Sequence, residues 1–188
     1  SSQVKKGAFI PLARSIKNEG LPQALSLLEI LRDVPRLHVS GFDKIIDKNY
    51  KILKGLKIDP NFDRYLYKYR TGRRIPLKYF WKLIYFLKIN LKETNLDNFR
   101  ITSPNGKGSL PPILQMTPEF LRILGYIVSE GTIRDDLISI SNTDQGILKD
   151  ISYCLKKIGV LHFGTKISIN ISDRPFIKYV IELAGKGK

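Results

Sequence analysis

The sequence predicts an α+β protein in which a helical domain precedes a domain that alternates helices with strand pairs. Three observations favour this class. Apolar residues recur at helical spacing in residues 41–100, a segment rich in Pro, Gly and Ser follows at 101–112, and residues 113–188 alternate the helical and strand periodicities. We therefore expect a helical domain, a linker and an αββαββα domain, preceded by a poorly defined N-terminal arm over residues 1–40.

The N-terminal arm gives weak structural signals and no functional one. A short strand is predicted over residues 8–12, a helix with a proline at its start over 22–33, and a second strand over 37–40. We expect this arm to pack on a neighbouring domain.

The helical domain contains a pattern typical of DNA-binding proteins. Helices are predicted over residues 49–56, 61–70 and 77–89, and a tight break joins the first two, as in a helix-turn-helix. The stretch 69–90 also resembles the end of the helix-turn-helix in phage-repressor-type domains, with a Gly, a basic pair, a Pro and a packing helix. The resemblance implies that residues 61–70 form a recognition helix. Its groove-facing candidates are Asn61, Arg64, Tyr65 and Lys68, and its phosphate-contacting candidates are Arg70, Arg73 and Arg74.

The charge distribution points to a nucleic-acid partner for the first half of the chain. The chain has 32 basic and 17 acidic residues, of which 22 basic and 9 acidic residues lie in residues 1–112. Such an excess attracts phosphates. The alternative is a three-helix module that only packs against the other domain and whose Lys and Arg side chains form a solvated face.

A membrane partner is not expected. No stretch approaches the roughly 18 apolar residues of a spanning helix, and no signal-peptide pattern opens the sequence. The single cysteine, Cys154, lies on the apolar side of a predicted helix and is expected to be a core residue. We therefore expect a cytoplasmic, nucleoid-associated protein.

Residues 123–131 are the most informative segment of the second half. They form an apolar helical stretch that ends at Glu130 and Gly131, with Gly125 and Ser129 four residues apart on one face. A face of small residues allows another helix to approach closely, and a carboxylate at the foot of such a pair is a plausible ligand for a divalent metal. The plainer interpretation is a buried helix that ends at a glycine cap.

The predicted strands of this half carry polar residues on alternate positions. Lys166, Ser168 and Asn170 alternate with isoleucines, as do Ser139 and Ser141. An apolar face would pack on the later helices and leave a polar face free. Such side chains can form hydrogen bonds with base edges, but they can form them equally well with water.

Residues 117–160 resemble the LAGLIDADG (DOD-type) homing endonucleases, in particular their archaeal intein-type branch. The apolar, glycine and acidic positions of the motif are matched by Ile123, Gly125, Ile127, Glu130 and Gly131, with Glu in place of the usual Asp. Val128 replaces the first Asp of the motif, which is not catalytic in the family. The run at residues 140–144 is a second typical feature, and the resemblance extends to about residue 185.

The resemblance implies a phosphodiester-cleaving site and a DNA-binding sheet. Glu130 would bind Mg²⁺ or another divalent cation, and Lys166 would polarise the site. Asp135 and Asp136 are alternative acids in a predicted turn. The polar face would lie in the major groove of double-stranded DNA, with contacts from Arg134, Ser139, Ser141, Lys166, Ser168 and Asn170.

The motif occurs once, whereas the family needs two facing copies. We therefore expect a second copy of the chain, paired through Gly125 and Ser129, or a second repeat for which the Gly/Lys-rich end at residues 185–188 is a linker. Self-splicing is not expected, because splicing residues are absent. The expected function is a homing endonuclease.

The alternatives are a non-catalytic regulator that combines this fold with a helix-turn-helix and, more distantly, an RNA-splicing maturase.

Overall fold

The computed structural model describes residues 24–91 and 93–184, and it confirms a mixed α+β architecture with antiparallel sheets. The strand predicted at residues 8–12 and the Gly/Lys-rich end at 185–188 lie outside the described residues. The elements of the first half are β1 (Ala24–Ser26), α1 (Leu27–Ile30), β2 (His38–Ser40), α2 (Asp43–Lys48), α3 (Tyr50–Gly55), α4 (Pro60–Arg70), β3 (Ile75–Pro76), α5 (Leu77–Phe86), β4 (Arg100–Thr102) and β5 (Ser109–Leu110).

The second half follows the predicted order of a helix, two strands, a helix, two strands and a helix. A further strand, β6 (Ile113–Gln115), precedes it. The elements are α6 (Pro118–Glu130), β7 (Gly131–Ile133), β8 (Ile138–Ser141), α7 (Gln145–Lys157), β9 (His162–Gly164), β10 (Ser168–Ile171) and α8 (Arg174–Ala184). Among the described residues, no helix has the length and apolar character that a membrane span requires.

The second-half sheet has the strand order β7-β8-β10-β9, and all its pairs are antiparallel. In the register of β8 and β10, Ile140 faces Ile169 and Ile138 faces Ile171. These four isoleucines are buried, because α6 and α7 pack on that side of the sheet. Strand alternation then directs the intervening polar residues to the opposite face.

Local sequence signals determine where the long helices begin. Asp59 caps α4 by accepting a hydrogen bond from the amide of Asn61 at 2.9 Å, and Pro60 occupies the first turn. Thr117 caps α6 and Asp144 caps α7 in the same way. By contrast, α5 ends at Phe86 instead of the predicted residue 89, because Lys88 adopts a φ of 49° that a helix cannot continue.

The first half differs from the sequence-based expectations at three places. Within 24–33, the described part of the predicted arm helix, residues 24–26 form β1 and only 27–30 are helical. The supposed linker at 101–112 contributes β4 and β5, and the segment 41–100 is not purely helical. Pairs between distant segments account for most of these differences, because β2 joins β3 and β4, and residues 24–26 pair with β6.

The two halves share buried contacts. A single apolar cluster extends from Leu27 to Val180, and β1 pairs with β6 so that residues 24–26 face 113–115. Helix α8 packs against β4 and β5 of the first-half sheet. Residues 24–40 and the predicted linker are therefore parts of the packed structure.

Asp173 lies at this junction with 0% of its surface exposed. Its carboxylate accepts hydrogen bonds from the amides of Leu161 and Phe176, each at 3.2 Å, and lies close to the amide of Ser109. Gly108 approaches so closely that a Cβ there would lie 2.8 Å from the carboxylate. Burial raises the pKa of Asp173 above its ordinary value of 3.8, although the three amides act in the opposite direction.

We predict that Asp173 makes stability depend on pH between its ordinary pKa of 3.8 and the higher pKa that it has in the folded protein. Because its pKa is higher in the folded state, the folded protein retains this proton more strongly than the unfolded chain. This contribution to stability is complete below pH 3.8 and is lost as pH rises through the folded-state pKa. Urea unfolding across this window should show the decrease in the parent protein and its absence in Asp173→Asn.

Asp173→Ala tests the hydrogen bonds separately from the charge. Removal of the carboxylate leaves buried amides without an acceptor, which costs about 1–3 kcal/mol of unfolding free energy. Asp136→Asn, in an exposed turn, should leave the urea midpoint close to that of the parent protein. An Asp173→Ala protein as stable as the parent would contradict this role.

Candidate nucleic-acid interface and acidic site

Helix α6 places Glu130 at the junction between a helix and a sheet. Phe120, Ile123 and Ile127 anchor the helix in the core. The chain then passes directly into β7 at Gly131, where a Cβ would lie only 2.4 Å from the carbonyl oxygen of Ile127. Glycine is therefore required at this junction, and Glu130 remains exposed at the edge of the sheet.

Asn142 holds the carboxylate of Glu130. Its side-chain amide donates to Glu130 Oε2 at 2.6 Å, and its Oδ1 accepts from the amide of Asp144 at 2.8 Å. The backbone amide of Asn142 donates to the carbonyl of Ile167 at 3.0 Å. Sequence reasoning included this residue in the run 140–144 but gave it no role, although an Asn directly after a strand is a recognisable turn signal.

The predicted polar residues of the sheet lie on one face. Ser168 pairs with Ser141, and Asn170 pairs with Ser139, so the four side chains are neighbours across the two central strands. Asn170 Nδ2 donates to Ser168 Oγ at 3.1 Å. We call Ser139, Ser141, Ser168 and Asn170 the polar sheet face.

Lys166 and Arg134 lie at opposite ends of this sheet. Lys166 is exposed just before β10, on the side where Glu130 and Asn142 lie, and its carbonyl accepts from the side chain of Gln145 at 2.8 Å. Arg134 is exposed in the turn that follows β7. Ile167, which was expected to face the core, is 64% exposed because β10 begins only at residue 168.

The alternative acids are separated from Glu130 by the length of the β7–β8 hairpin. Asp135 and Asp136 lie in its turn, where Asp135 forms an ion pair with Lys178 at 3.8 Å. Glu130 precedes the other end of the same hairpin. The structure therefore does not bring these acids into one site with Glu130.

Polar contacts fix one side of α6 to α7 and leave another side open. Asp150 on α7 accepts from Arg122 at 3.0 Å and from the hydroxyl of Tyr126 at 2.9 Å. Burial raises the pKa of Tyr126, and its hydrogen bond to Asp150 raises it further. The other side is exposed, and Val128 there has 80% of its surface accessible. We call Leu121, Gly125, Val128 and Ser129 the open face of α6.

The recognition-helix candidates are exposed on α4. Asn61, Arg64 and Lys68 point away from the core, whereas Tyr65 is half-buried. The cationic ends of Arg64 and Lys68 lie 5.7 and 5.5 Å from the centre of the Tyr65 ring. These cation–π contacts restrict the two long side chains without neutralising their charge.

The three phosphate-contacting candidates differ in their surroundings. Arg70 forms an ion pair with Asp47 and lies over the ring of Tyr50 at 4.8 Å. The guanidinium of Arg73 lies 4.7 Å from the ring centre of Tyr65, and Arg74 donates to the carbonyl of Pro104 at 3.3 Å. Arg73 and Arg74 have no ion-pair partner within 4.0 Å among the described residues, so they are the stronger candidates for anion binding.

Glu130, the expected metal ligand, is not part of a larger acidic cluster among the described residues. Within residues 24–91 and 93–184, no group of three or more His, Cys, Asp or Glu side chains could hold a metal ion. The hydrogen bond from Asn142 occupies Oε2 of Glu130 and leaves Oε1 without a partner in the same part of the chain. This carboxylate suits one half of a shared divalent-metal site and is insufficient for a complete one.

We predict opposite stability effects from alanine at the two glycines of residues 123–131. Gly131→Ala brings Cβ against the Ile127 carbonyl and should cost about 1–3 kcal/mol of unfolding free energy. Gly125→Ala meets no atom within 4 Å, and it should stabilise by about 0.5–1 kcal/mol through helix propensity. Urea unfolding of both variants at low protein concentration measures the difference, and equal effects would contradict the described junction.

Comparisons with known proteins do not place the chain in a family. No protein-family model matches it, and no significant match is found among curated proteins.

Proposed function

We propose that the chain is a site-specific, metal-dependent endodeoxyribonuclease of the LAGLIDADG homing type, or one half of such an enzyme. The observation that carries the proposal is the position of Glu130. Its exposed carboxylate lies where the open face of α6 ends and the polar sheet face begins. A carboxylate at this place could hold a metal ion beside a phosphodiester that lies over the sheet.

The polar sheet face supports a duplex-DNA substrate. Its hydroxyl and amide groups can donate and accept hydrogen bonds, which base edges in the major groove require. A two-stranded β-ribbon fits that groove, and β8 and β10 carry all four residues of the face. Arg134 and Lys166 add positive charge near the two ends of these strands and suit phosphates.

The basic first half supports the same substrate. Its exposed candidates on α4, namely Asn61, Arg64 and Lys68, lie on a capped helix whose apolar residues are buried. Phosphate contacts would come from Arg70, Arg73 and Arg74, because they follow this helix or form its last turn. Tight binding would then be shared between the two halves of the chain.

The open face of α6 supports a paired active site. Gly125 leaves room for a second helix, and the exposed apolar side chains of Leu121 and Val128 would lose contact with water on pairing. A paired helix would bring a second carboxylate beside Glu130. A Mg²⁺ ion held by two such acids supplies charge stabilisation and an activated water for phosphodiester hydrolysis.

In this arrangement the residues of the chain have separate roles. Glu130 would bind the metal, and Asn142 would orient its carboxylate through the 2.6 Å hydrogen bond. Lys166, at the same edge of the sheet, would stabilise negative charge on the phosphate. The polar sheet face would position the duplex.

A non-catalytic DNA-binding regulator is the second candidate. It is favoured by the single carboxylate at the site, since no metal-binding group of three or more side chains occurs in the described ranges. Such a regulator would use the same basic surface and polar sheet face and would not need Glu130.

We predict Mg²⁺-dependent cleavage of double-stranded DNA that depends on Glu130. Glu130→Gln keeps the size of the side chain but removes the charge that binds metal, so cleavage of a randomised plasmid library should fall by at least about 100-fold. Sequencing of the cut ends gives the rate and the site.

Binding must be measured on the same library, because it separates the two candidates. Equal DNA binding with no cleavage by either protein would refute a nuclease formed by copies of this chain alone and favour the regulator. Asp136→Asn is a matched control, because it also replaces a carboxylate by an amide of the same size and lies in the turn at the far end of the hairpin; it should cleave like the parent protein.

We predict that Gly125→Leu separates helix pairing from folding. A Cβ at this position meets nothing within 4 Å in the chain, so the isolated protein should keep its circular dichroism spectrum and its urea midpoint. A bulky side chain on the open face should reduce pairing and cleavage by about 10-fold or more, since overpacking of a close contact costs about 1–3 kcal/mol.

Analytical ultracentrifugation with and without DNA measures the pairing. Lys149→Leu, an exposed position on α7, controls for the addition of a leucine to the surface. Unchanged mass and unchanged cleavage in Gly125→Leu would exclude pairing through this face.

A further inference from the structure

A small cleft in the first half of the protein is lined by cations and contains no carboxylate among its lining residues. Its volume is about 290 Å³, and it lies between α4, the residues before β3 and the start of α5. Its walls are His38, Asn61, Tyr65, Tyr69, Arg73, Arg74, Pro76, Lys78 and Tyr79. Three permanent positive charges therefore share one concave site.

Contacts within the protein hold these cations in place without neutralising them. Arg73 rests on the Tyr65 ring at 4.7 Å, and Lys78 Nζ lies 4.7 Å from the ring centre of Tyr79. The Arg74 guanidinium packs so closely on Gly106 that a Cβ there would lie 2.2 Å from it. Cations restrained together in this way repel one another until an anion joins them.

The nearby carboxylate of Asp59 is committed to other groups. It accepts from the hydroxyl of Tyr79 at 3.0 Å and from the amides that it caps at the start of α4. Lys82 lies 4.0 Å from its other oxygen. Asp59 is thus engaged beside the cleft and does not line it.

The start of α5 also favours an anion. Pro76 precedes this ten-residue helix and provides no side-chain cap, and the amide of Leu77 donates to the carbonyl of Leu37. The amides of Lys78 and Tyr79, in the first turn, have no acceptor within the helix, and both residues line the cleft. A helix N-terminus combined with basic side chains is a typical phosphate environment.

His38 reports on the charge of this site. Burial lowers its pKa, and the charges of Arg74 and Arg73 lower it further. Its Nδ1 is buried without a hydrogen-bond partner among the described residues. A bound anion would offset the two guanidinium charges and raise this pKa.

We propose that this cleft binds one phosphate group, belonging either to a nucleic-acid backbone or to a free nucleotide. The residues that hold it are Arg73, Arg74 and Lys78, with Asn61 as a neutral donor and His38 in the wall. The inference does not depend on cleavage by the second half. Only its nucleic-acid source rests on the proposed function.

A larger adjoining cavity favours the nucleic-acid source. It has a volume of about 720 Å³ and shares His38, Pro76 and Lys78 with the cleft. Its other lining residues include Arg32, Arg36 and Lys82, opposed by the single carboxylate of Asp33. Positive charge therefore continues beyond one phosphate, as a polynucleotide backbone requires.

Nuclear magnetic resonance of His38 tests the phosphate site directly. The chain has two histidines, so the spectrum of His38→Gln assigns the signal. Inorganic phosphate, added in place of chloride at constant ionic strength, should raise the pKa of His38 in a saturable manner. A double variant with Arg73→Gln and Lys78→Gln should lose this response, and Lys51→Gln on α3, outside the cleft, should keep it.

Binding to nucleic acid identifies the source of the phosphate. Duplex DNA, single-stranded DNA and a mononucleotide are titrated against the parent protein, the double variant and Lys51→Gln over a range of salt. If a backbone phosphate occupies the cleft, the double variant should lose about one unit in the slope of log K against log salt. Loss of mononucleotide binding alone identifies a free nucleotide as the ligand.

The inference is overturned if inorganic phosphate leaves the pKa of His38 unchanged, or if the double variant responds like the parent protein. These outcomes are independent of the nuclease proposal. The response to phosphate does not involve Glu130, and loss of cleavage in Glu130→Gln does not involve the cleft.

Discussion

Asp173 lies at the start of α8 with its side chain fully buried, where its carboxylate joins three segments of the chain. The amides of Leu161 and Phe176 belong to the second half, and the amide of Ser109 belongs to the sheet of the first half. A buried carboxylate is tolerated only when such donors surround it. The need for donors therefore ties the start of α8 to the segment before β9 and keeps it beside β5, at the junction between the basic half and the half that contains Glu130.

Helix α6 then performs different tasks on its different sides. Its apolar side enters the shared core, and Arg122 and Tyr126 bind Asp150 on α7. Since both sides are occupied, the third side with Gly125 remains open to solvent. The helix ends at a glycine that cannot be replaced without a clash. These constraints together place the carboxylate of Glu130, the open face of α6 and the polar sheet face next to one another. Because only one carboxylate lies there, the proposed function needs a second helix to supply another.

The first half adds a different kind of constraint, because its charges are organised by aromatic rings. Tyr65 contacts Arg64, Lys68 and Arg73, so one half-buried ring restrains three cations around the C-terminal part of α4. This arrangement lowers the entropy cost of binding an anion without supplying a competing carboxylate. The cleft beside it and the polar sheet face have no residue in common.

The sequence by itself determined the helices and strands of the second half and the alternation of its polar and apolar residues. Local signals suffice there, because Thr117 and Asp144 cap the helices and period-two patterns mark the strands. The tertiary structure decided the rest. Pairing of His38–Ser40 with Arg100–Thr102 turned a supposed arm and linker into one sheet, and the hydrogen bond from Asn142 to Glu130 brought together residues that no periodicity relates. Both depend on contacts between segments distant in the chain, and a local pattern of residues contains no information about such partners.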